Sequence, residues 1–319
     1  QLMRTVTVSE SGICAAYEVY AFGAGEPHIT FTAGVHGNEV SGIYVAQQLI
    51  GYFQKNPPLR GTVKIIPTVN ATAMRCMQRR SPFDKEDLNR IFPGNEAGSL
   101  SHRLAASVYA ETADAEILVD LHCCGQHGMP YILSIYNESE AARGLVERIT
   151  MPVAVHSEGT PGQLFTESCR KRGQAACIIE LPSGAGSGAV NLPVANQCYE
   201  ALLDLLRTEG VVAGNIQGEA PRFYGPLKDT DAPKAGLWRP QVEKGMRVER
   251  GQCIGTVEEA AVYTPESGLV MNIVPCGYIF ADDLWVMTYV PLRRAFKDGE
   301  KKKRKNRNHL LTYADKRVY

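Results

Sequence analysis

The stretch HITFTAGVHGNEVSG, residues 28–42, joins a compact apolar strand to the start of a helix. Apolar side chains at helical spacing continue over residues 39–54. Further strand-like runs lie at residues 62–69, 115–121, 131–136 and 175–181, and further helical patterns begin after Ser99 and cover residues 194–205. Strands that alternate with helices in this way predict an α/β domain, with a mixed, mostly parallel sheet and helices on both faces.

The character of the chain changes near residue 210. Residues 214–233 are rich in Gly, Pro and Asp, and short β-like pieces with close turns follow. We therefore predict three regions. They are an α/β domain over 1–210, a small β-sandwich or half-barrel over 211–296, and a basic, solvated tail over 297–319. Seven of the residues 297–308 are Lys or Arg.

Composition limits the class of protein and the kind of metal site. The formal net charge of zero gives no reason to expect nucleic-acid binding. We also expect no membrane association, since no apolar run approaches the length of a bilayer span and no signal-peptide pattern is present. The nine cysteines form no CxxC pair, which favours reduced thiols in a cytoplasmic protein. Any metal ligands should therefore be sought among histidines and carboxylates.

Three such residues follow predicted strands. His36 and Glu39 come after the first strand, in a spacing that lets both reach one ion, and His122 directly follows the strand at 115–121. Side chains at the carboxyl ends of parallel strands emerge where ligands bind. Two imidazoles and one carboxylate leave a position open for water, which is the arrangement of a catalytic zinc site.

Two further acids stand near the same edge of the predicted sheet. Asp120 lies on the same side of its strand as His122, so it either orients that ligand or is an ordinary buried acid. Glu180 ends another apolar strand, where a charge needs a partner or a task. Beside zinc, Glu180 would act as general base toward water and then as acid toward a leaving amine.

The segment RRSPFDKEDLNRIFPG, residues 79–94, is too broken by Pro and Asp to be one helix. It carries Arg79, Arg80, Asn89 and Arg90. Guanidinium groups bind carboxylates in pairs of hydrogen bonds and can stabilise an oxyanion. The cluster therefore favours an anionic substrate.

Together, HGNE, DLNR and the strand-end residues His122 and Glu180 resemble the succinylglutamate desuccinylase and aspartoacylase family, within the zinc carboxypeptidase superfamily. The four motifs occur in the family's order, and the resemblance spans residues from about 28 to 295. Family members carry a C-terminal β-domain. The segment VEKGMRVERGQCIGTV also resembles a biotinyl or lipoyl half-barrel, although no Met-Lys-Met attachment site is present.

The resemblance assigns roles to individual residues. It implies one zinc ion per subunit on His36, Glu39 and His122, and Glu180 as the base. Asn89 and Arg90 would hold the amino-acid carboxylate, and Arg80 would polarise the scissile carbonyl, with Arg79 as its substitute. Arg170 would bind a second substrate carboxylate, with Arg172 as the alternative. Tyr278 would reach over the site, with Tyr263 as its competitor.

These roles imply a zinc-dependent amidohydrolase that removes an acetyl- or succinyl-type group from a small N-acyl amino acid. The segment 79–94 is closer to the bacterial deacylase branch, which includes enzymes that act on N-acetylated diamino acids. A carboxypeptidase acting on peptides and a metal-binding protein without catalysis are the alternatives. The family also suggests a homodimer.

Overall fold

The computed structural model describes residues 2–183 and 188–292, and the predicted basic tail lies outside these residues. The chain divides into two compact units between Leu227 and Lys228. This division falls later than the boundary predicted at 210. The reason is a short strand at Arg222–Tyr224, which pairs with Val153–His156 and so belongs to the first unit.

The first unit contains nine strands, six α-helices and a 3-10 turn at Leu88–Arg90 among its described residues. The strands are β1 (Leu2–Glu10), β2 (Ile13–Ala24), β3 (His28–Ala33), β4 (Gly61–Ile66), β5 (Ile117–Cys123), β6 (Tyr131–Ser134), β7 (Val153–His156), β8 (Ala175–Leu181) and β9 (Arg222–Tyr224). The helices are α1 (Val40–Lys55), α2 (Ala71–Arg75), α3 (Leu100–Glu111), α4 (Glu140–Glu147), α5 (Leu164–Arg172) and α6 (Leu192–Thr208).

The nine strands form one sheet in the order β1-β2-β4-β3-β5-β8-β6-β7-β9. The central strands β4, β3, β5 and β8 are parallel. The antiparallel pairs are β1–β2, β2–β4 and β6–β8, whereas β6–β7 and β7–β9 are parallel. The carboxyl ends of β3, β5 and β8 therefore meet at one edge of the sheet.

Apolar residues of β5 alternate between the two faces of this sheet. Val119 and Leu121 pack in a cluster that includes Leu49 of α1 and Leu202 of α6. Leu118 packs on the other face, with residues of α3 and α5 such as Phe165. Helices thus cover both faces, which confirms the predicted α/β architecture.

In its described residues 228–292, the second unit contains eight short strands. They are β10 (Lys228–Asp231), β11 (Gly236–Pro240), β12 (Arg247–Val248), β13 (Cys253–Val257), β14 (Ala260–Tyr263), β15 (Gly268–Ile273), β16 (Gly277–Ile279) and β17 (Trp285–Pro291). They form two four-stranded antiparallel sheets, with a core that includes Trp238, Ile254 and Tyr289. The predicted C-terminal β-domain is therefore confirmed.

The structure also describes the cysteines and the lengths of the helices. All nine cysteines are free thiols. Within residues 2–183 and 188–292, no helix combines the length and the apolar character that a membrane span needs.

Candidate metal centre

The loop between β3 and α1 places His36 and Glu39. Gly37 makes this possible, since a Cβ there would lie 2.0 Å from the backbone of Ala73 in α2. Glu39 is the N-cap of α1, yet its side chain makes no capping hydrogen bond. Its carboxylate instead accepts a hydrogen bond from the backbone N–H of Cys123 at 3.0 Å, which draws it to the end of β5.

His122 and Glu180 are brought together by the sheet. They lie opposite each other on the parallel strands β5 and β8, with aligned Cα atoms. Because the two strands run in the same direction, both side chains come to the edge at which β3 delivers His36. The parallel register of β5 and β8 therefore brings His122 and Glu180 to one edge of the sheet, as predicted.

The three predicted ligands form a compact, buried cluster. Glu39 Oε1 lies 2.8 Å from His36 Nδ1, and Glu39 Oε2 lies 3.0 Å from His122 Nδ1. The two Nδ1 atoms are 3.2 Å apart. One donor atom from each residue lies within 4.8 Å of the others, so all three can hold one ion.

The outward nitrogen of each imidazole is held by a carboxylate. His36 Nε2 lies 3.0 Å from Asp87, and His122 Nε2 lies 2.7 Å from Asp120, which also accepts a hydrogen bond from Thr32. A carboxylate can only accept, so Asp87 and Asp120 favour a proton on each Nε2, and a metal ion bound by this cluster would take the place of a proton at each Nδ1. Carboxylates that hold the outer nitrogen of a ligating imidazole are typical of metal sites.

The charged groups of the cluster stabilise one another. Burial favours a neutral Glu39, but His36 and His122 outweigh burial and hold the pKa of Glu39 well below its usual range. Burial likewise opposes a charge on His122, yet Asp120 and Glu39 raise the pKa of His122 well above its usual value. The donor set of two imidazoles and one carboxylate fits a divalent ion such as zinc.

Glu180 has the environment of a general base. Burial raises the pKa of Glu180 to about 7, although nearby His122 lowers it. Its Oε2 atom is buried and has no hydrogen-bond partner among the described residues. A buried, unpartnered carboxylate oxygen with a pKa near neutrality can take up and release a proton.

The structure brings Arg79, rather than the preferred Arg80, to this cluster. Arg79 Nε donates to Asp87 at 2.9 Å, and its Nη1 lies 3.5 Å from Glu39 Oε1. Arg80 donates to the backbone carbonyl of Lys85 at 3.4 Å. Arg79, the alternative that the sequence left open, therefore contacts a predicted metal ligand.

Asn89 and Arg90 lie in the 3-10 turn beside the cluster. Asn89 is buried, and its Oδ1 accepts the backbone N–H of Leu164 at the start of α5. Arg90 is exposed and donates to the carbonyl of Asn89 at 2.9 Å. That these two residues bind a substrate carboxylate stays a prediction.

The two arginine candidates of α5 are engaged by other groups of the protein. Arg170 on α5 is bound to the carbonyls of Glu158 and Gly159. Arg172 stacks on the ring of Tyr109, 3.4 Å from its centroid.

The two tyrosine candidates belong to the second unit. Tyr278 and Tyr263 are 60% and 57% exposed, and the Tyr278 ring lies 5.1 Å from that of Phe280. Their predicted part in the site stays a prediction.

Sequence reasoning missed one residue that holds the cluster together. Asp87 contacts both His36 and Arg79, although it lies 51 residues after His36. Its position at the start of DLNR was the available signal. Asp120, for which the sequence left two roles open, is placed as the orienting partner of His122.

The comparisons with known proteins identify the family. Residues 26–206, more than half of the chain, match the model of the succinylglutamate desuccinylase/aspartoacylase catalytic domain. The chain belongs to this family, which confirms the resemblance found in the sequence, and its named relatives are amide hydrolases.

Individual relatives are similar over most of their length. The chain is 28% identical over 246 residues to the N-alpha-acetyl-L-2,4-diaminobutyric acid deacetylase of Halomonas elongata, covering 72% of this chain and 70% of that one. The crystal structure of a succinylglutamate desuccinylase/aspartoacylase from Rhodobacter sphaeroides has a TM-score of 0.75 at 23% identity, covering 91% and 95% of the two chains. The product-bound ectoine utilization protein EutE (DoeB) of Ruegeria pomeroyi has a TM-score of 0.76 at 20% identity, with the same coverage. The two crystal structures show the same fold.

Proposed function

We propose that this protein is a zinc-dependent deacylase that hydrolyses N-acyl amino acids. The observation that carries the proposal is the buried His36–Glu39–His122 cluster with Glu180 at the end of the neighbouring strand. The Halomonas elongata relative, named as a deacetylase of an N-acetylated diamino acid, supports this substrate class. We infer an acetyl- or succinyl-type acyl group.

Zinc would be held by His36 Nδ1, Glu39 and His122 Nδ1, one ion per subunit. When bound, it would polarise the amide carbonyl and lower the pKa of water. Asp87 and Asp120 would keep both imidazoles in the tautomer that presents Nδ1 to the ion.

Glu180 would move the proton. Its carboxylate accepts a proton from the attacking water, and the resulting carboxyl then donates that proton to the nitrogen of the departing amine. A pKa near 7 suits both steps, because the group is then neither too weak a base nor too weak an acid. The products are a carboxylate and a free amino acid.

The arginines would orient the substrate. We assign stabilisation of the carbonyl oxygen to Arg79, whose guanidinium is fixed by Asp87 next to Glu39. Arg90, exposed beside the cluster, and the amide of Asn89 would bind the carboxylate of the amino acid. Tyr278 remains a candidate contact from the second unit. The sequence predictions of a cytoplasmic location and of a homodimer are kept as part of this proposal.

The test is metal analysis combined with a screen of N-acetyl and N-succinyl amino acids for release of amine. Glu180→Gln should abolish turnover and retain zinc, whereas His36→Ala should lose both. Glu147→Gln is the matched control, because Glu147 is half exposed and forms an ion pair with Arg143 on α4.

Three results would reject the proposal in different ways. A Glu180→Gln enzyme with near-normal rate would exclude Glu180 as the base. Faster hydrolysis of short peptides than of N-acyl amino acids would favour a carboxypeptidase. Zinc-loaded protein without activity on the whole panel would indicate a metal-binding protein that lacks catalysis.

A further inference from the structure

The guanidinium group of Arg170 is held by three protein oxygens. Its Nη1 donates to the carbonyl of Gly159 at 2.9 Å. Its Nη2 donates to the carbonyl of Glu158 at 2.7 Å and to the carboxylate of Glu138 at 2.9 Å. Gly159 makes room for this group, since a Cβ there would lie 2.7 Å from Nη2. Gly159 also has a φ of +74°, a conformation that glycine adopts without strain.

These contacts leave little capacity for a substrate carboxylate. Arginine binds a carboxylate most strongly through two parallel N–H bonds, made by Nη2 together with either Nη1 or Nε. Either pair needs a hydrogen of Nη2, which has only two. Glu138 and the Glu158 carbonyl already accept from Nη2, so a ligand carboxylate would have to displace one of them. The negative charge of Glu138 also opposes a second anion at this place.

The segment that Arg170 holds leads directly to Gly162, a point of close packing. The N–H of Gly162 donates to Glu167 of α5 at 2.9 Å. The carbonyl of Gly162 accepts the N–H of Phe92 at 3.0 Å. A Cβ on Gly162 would lie 2.1 Å from the carbonyl oxygen of Arg90. Residues 158–162 thus form a brace between α5 and the DLNR turn.

We propose that Arg170 is a positioning residue, which fixes the brace of residues 158–162 against the turn that carries Asn89 and Arg90. It follows that a second carboxylate on the substrate gains no ion pair from Arg170. The enzyme should then show no preference for dicarboxylic over monocarboxylic N-acyl amino acids. The substrate part of this inference rests on the proposed function, whereas the positioning part does not.

The test uses full-length, zinc-loaded protein and two readouts. The first is hydrogen exchange at the amides of Phe92 and Gly162. The second is kcat/KM for N-acetyl-L-alanine and N-acetyl-L-aspartate. The variant is Arg170→Gln, and Arg143→Gln is the control, since Arg143 is also a helical arginine in an ion pair with a glutamate.

In Arg170→Gln, both amides should exchange about tenfold faster, as expected when one charge-assisted hydrogen bond is lost. The value of kcat/KM should fall by the same factor for both substrates, while the control changes neither readout. A loss confined to N-acetyl-L-aspartate would overturn the proposal, because a carboxylate-binding role predicts it. Unchanged exchange in Arg170→Gln would overturn it as well.

Two further measurements allow the experiment to be interpreted if the variant does not fold or the wild type is inactive. If Arg170→Gln does not fold, Glu138→Gln removes the charge partner alone and should change both readouts in the same direction by a smaller factor. If the wild-type protein hydrolyses neither substrate and no other member of the acyl panel, the proposed function fails. The exchange readout then still decides whether Arg170 positions the brace.

Discussion

Substitution of Asp87 by Asn should separate its two tasks. Asp87 Oδ1 accepts from His36 Nε2 at 3.0 Å and from the backbone N–H of Asn89 at 3.0 Å, while Oδ2 accepts from Arg79 Nε at 2.9 Å. An asparagine can keep its oxygen at the Oδ1 position and retain the first two contacts. Its NH2 group then faces the N–H of Arg79, and two donors meet.

The magnitude follows from the bond that is lost. A hydrogen bond between charged groups contributes about 1.5–3 kcal/mol. Asp87 is only 3% exposed, so water cannot replace the hydrogen bond that is lost. We therefore expect kcat/KM to fall roughly 10- to 100-fold at saturating zinc. The affinity for zinc should change less, because the contact to His36 remains.

The assay compares Asp87→Asn with Asp87→Ala in zinc competition titrations and in steady-state kinetics. Asp87→Ala leaves the N–H of His36 without its acceptor, and zinc affinity should then fall roughly 10- to 100-fold. Asp114→Asn is the control, since Asp114 is half exposed and binds Lys64 on the surface. Wild-type kcat/KM in zinc-saturated Asp87→Asn would refute the reasoning. So would equal losses of zinc affinity in both Asp87 variants.

Three further predictions follow from the site and its surroundings. The kcat/KM of the zinc enzyme should rise with pH as Glu180 ionises, because burial raises its pKa to about 7 and only the carboxylate accepts a proton; a flat profile around neutral pH would contradict this. Asp84→Ala should lower the free energy of unfolding in urea by about 1–2 kcal/mol, since Asp84 accepts hydrogen bonds from Ser101 and Ser99 at the start of α3. Those bonds outweigh burial and lower the pKa of Asp84 to about 2, so this contribution is present above pH 4 and is lost as the pH falls toward 2. Equal free energies of unfolding for wild type and variant at neutral pH would argue against it. Removal of zinc by a chelator should lower Tm, and re-addition should restore it. At a zinc concentration 100 times Kd, the bound ion should add about 3 kcal/mol to the free energy of unfolding. His36→Ala should show no such shift in Tm.

Much of the central sheet could be predicted because its strands are short, apolar and bounded. The run at 175–181 has the same bounds as β8, and the run at 115–121 became β5 with both ends two residues later. The convergence of His122 and Glu180 then followed from one rule, that parallel strands end at a common edge. No knowledge of the register was needed to place them at that edge.

The features that could not be predicted from the sequence lack a regular apolar pattern or depend on polar contacts between distant residues. Helix α5 contains SCRKR and has no apolar stripe of helical period over its second half, so its helical state was not predicted. Ser99 does begin α3, but its hydroxyl donates to Asp84 instead of capping the helix. Strand β9 is three residues long within a stretch rich in Gly and Pro, which is why the boundary was placed too early.

The choice between Arg79 and Arg80 shows why counting along a loop is insufficient. Both arginines lie in a segment without regular structure, so spacing alone cannot say which side chain turns inward. Asp87 decides it, because its buried carboxylate has one oxygen occupied by His36 and Asn89 and needs a donor for the other. A buried carboxylate without that donor would cost several kcal/mol.

The two halves of the site therefore rest on different supports. His122 and Glu180 are fixed by the hydrogen-bonded register of β5 and β8, whose residues are among the most deeply buried in the chain. Arg79 and Arg90 lie on a segment that side-chain and loop contacts hold in place, through Asp87 and the brace of residues 158–162. Asp87 contacts His36 as well as Arg79, whereas substitutions in the brace can shift the arginines without touching the predicted metal ligands. Changes in this segment should thus alter substrate binding and selectivity first, whereas changes in the sheet residues should remove the chemistry itself.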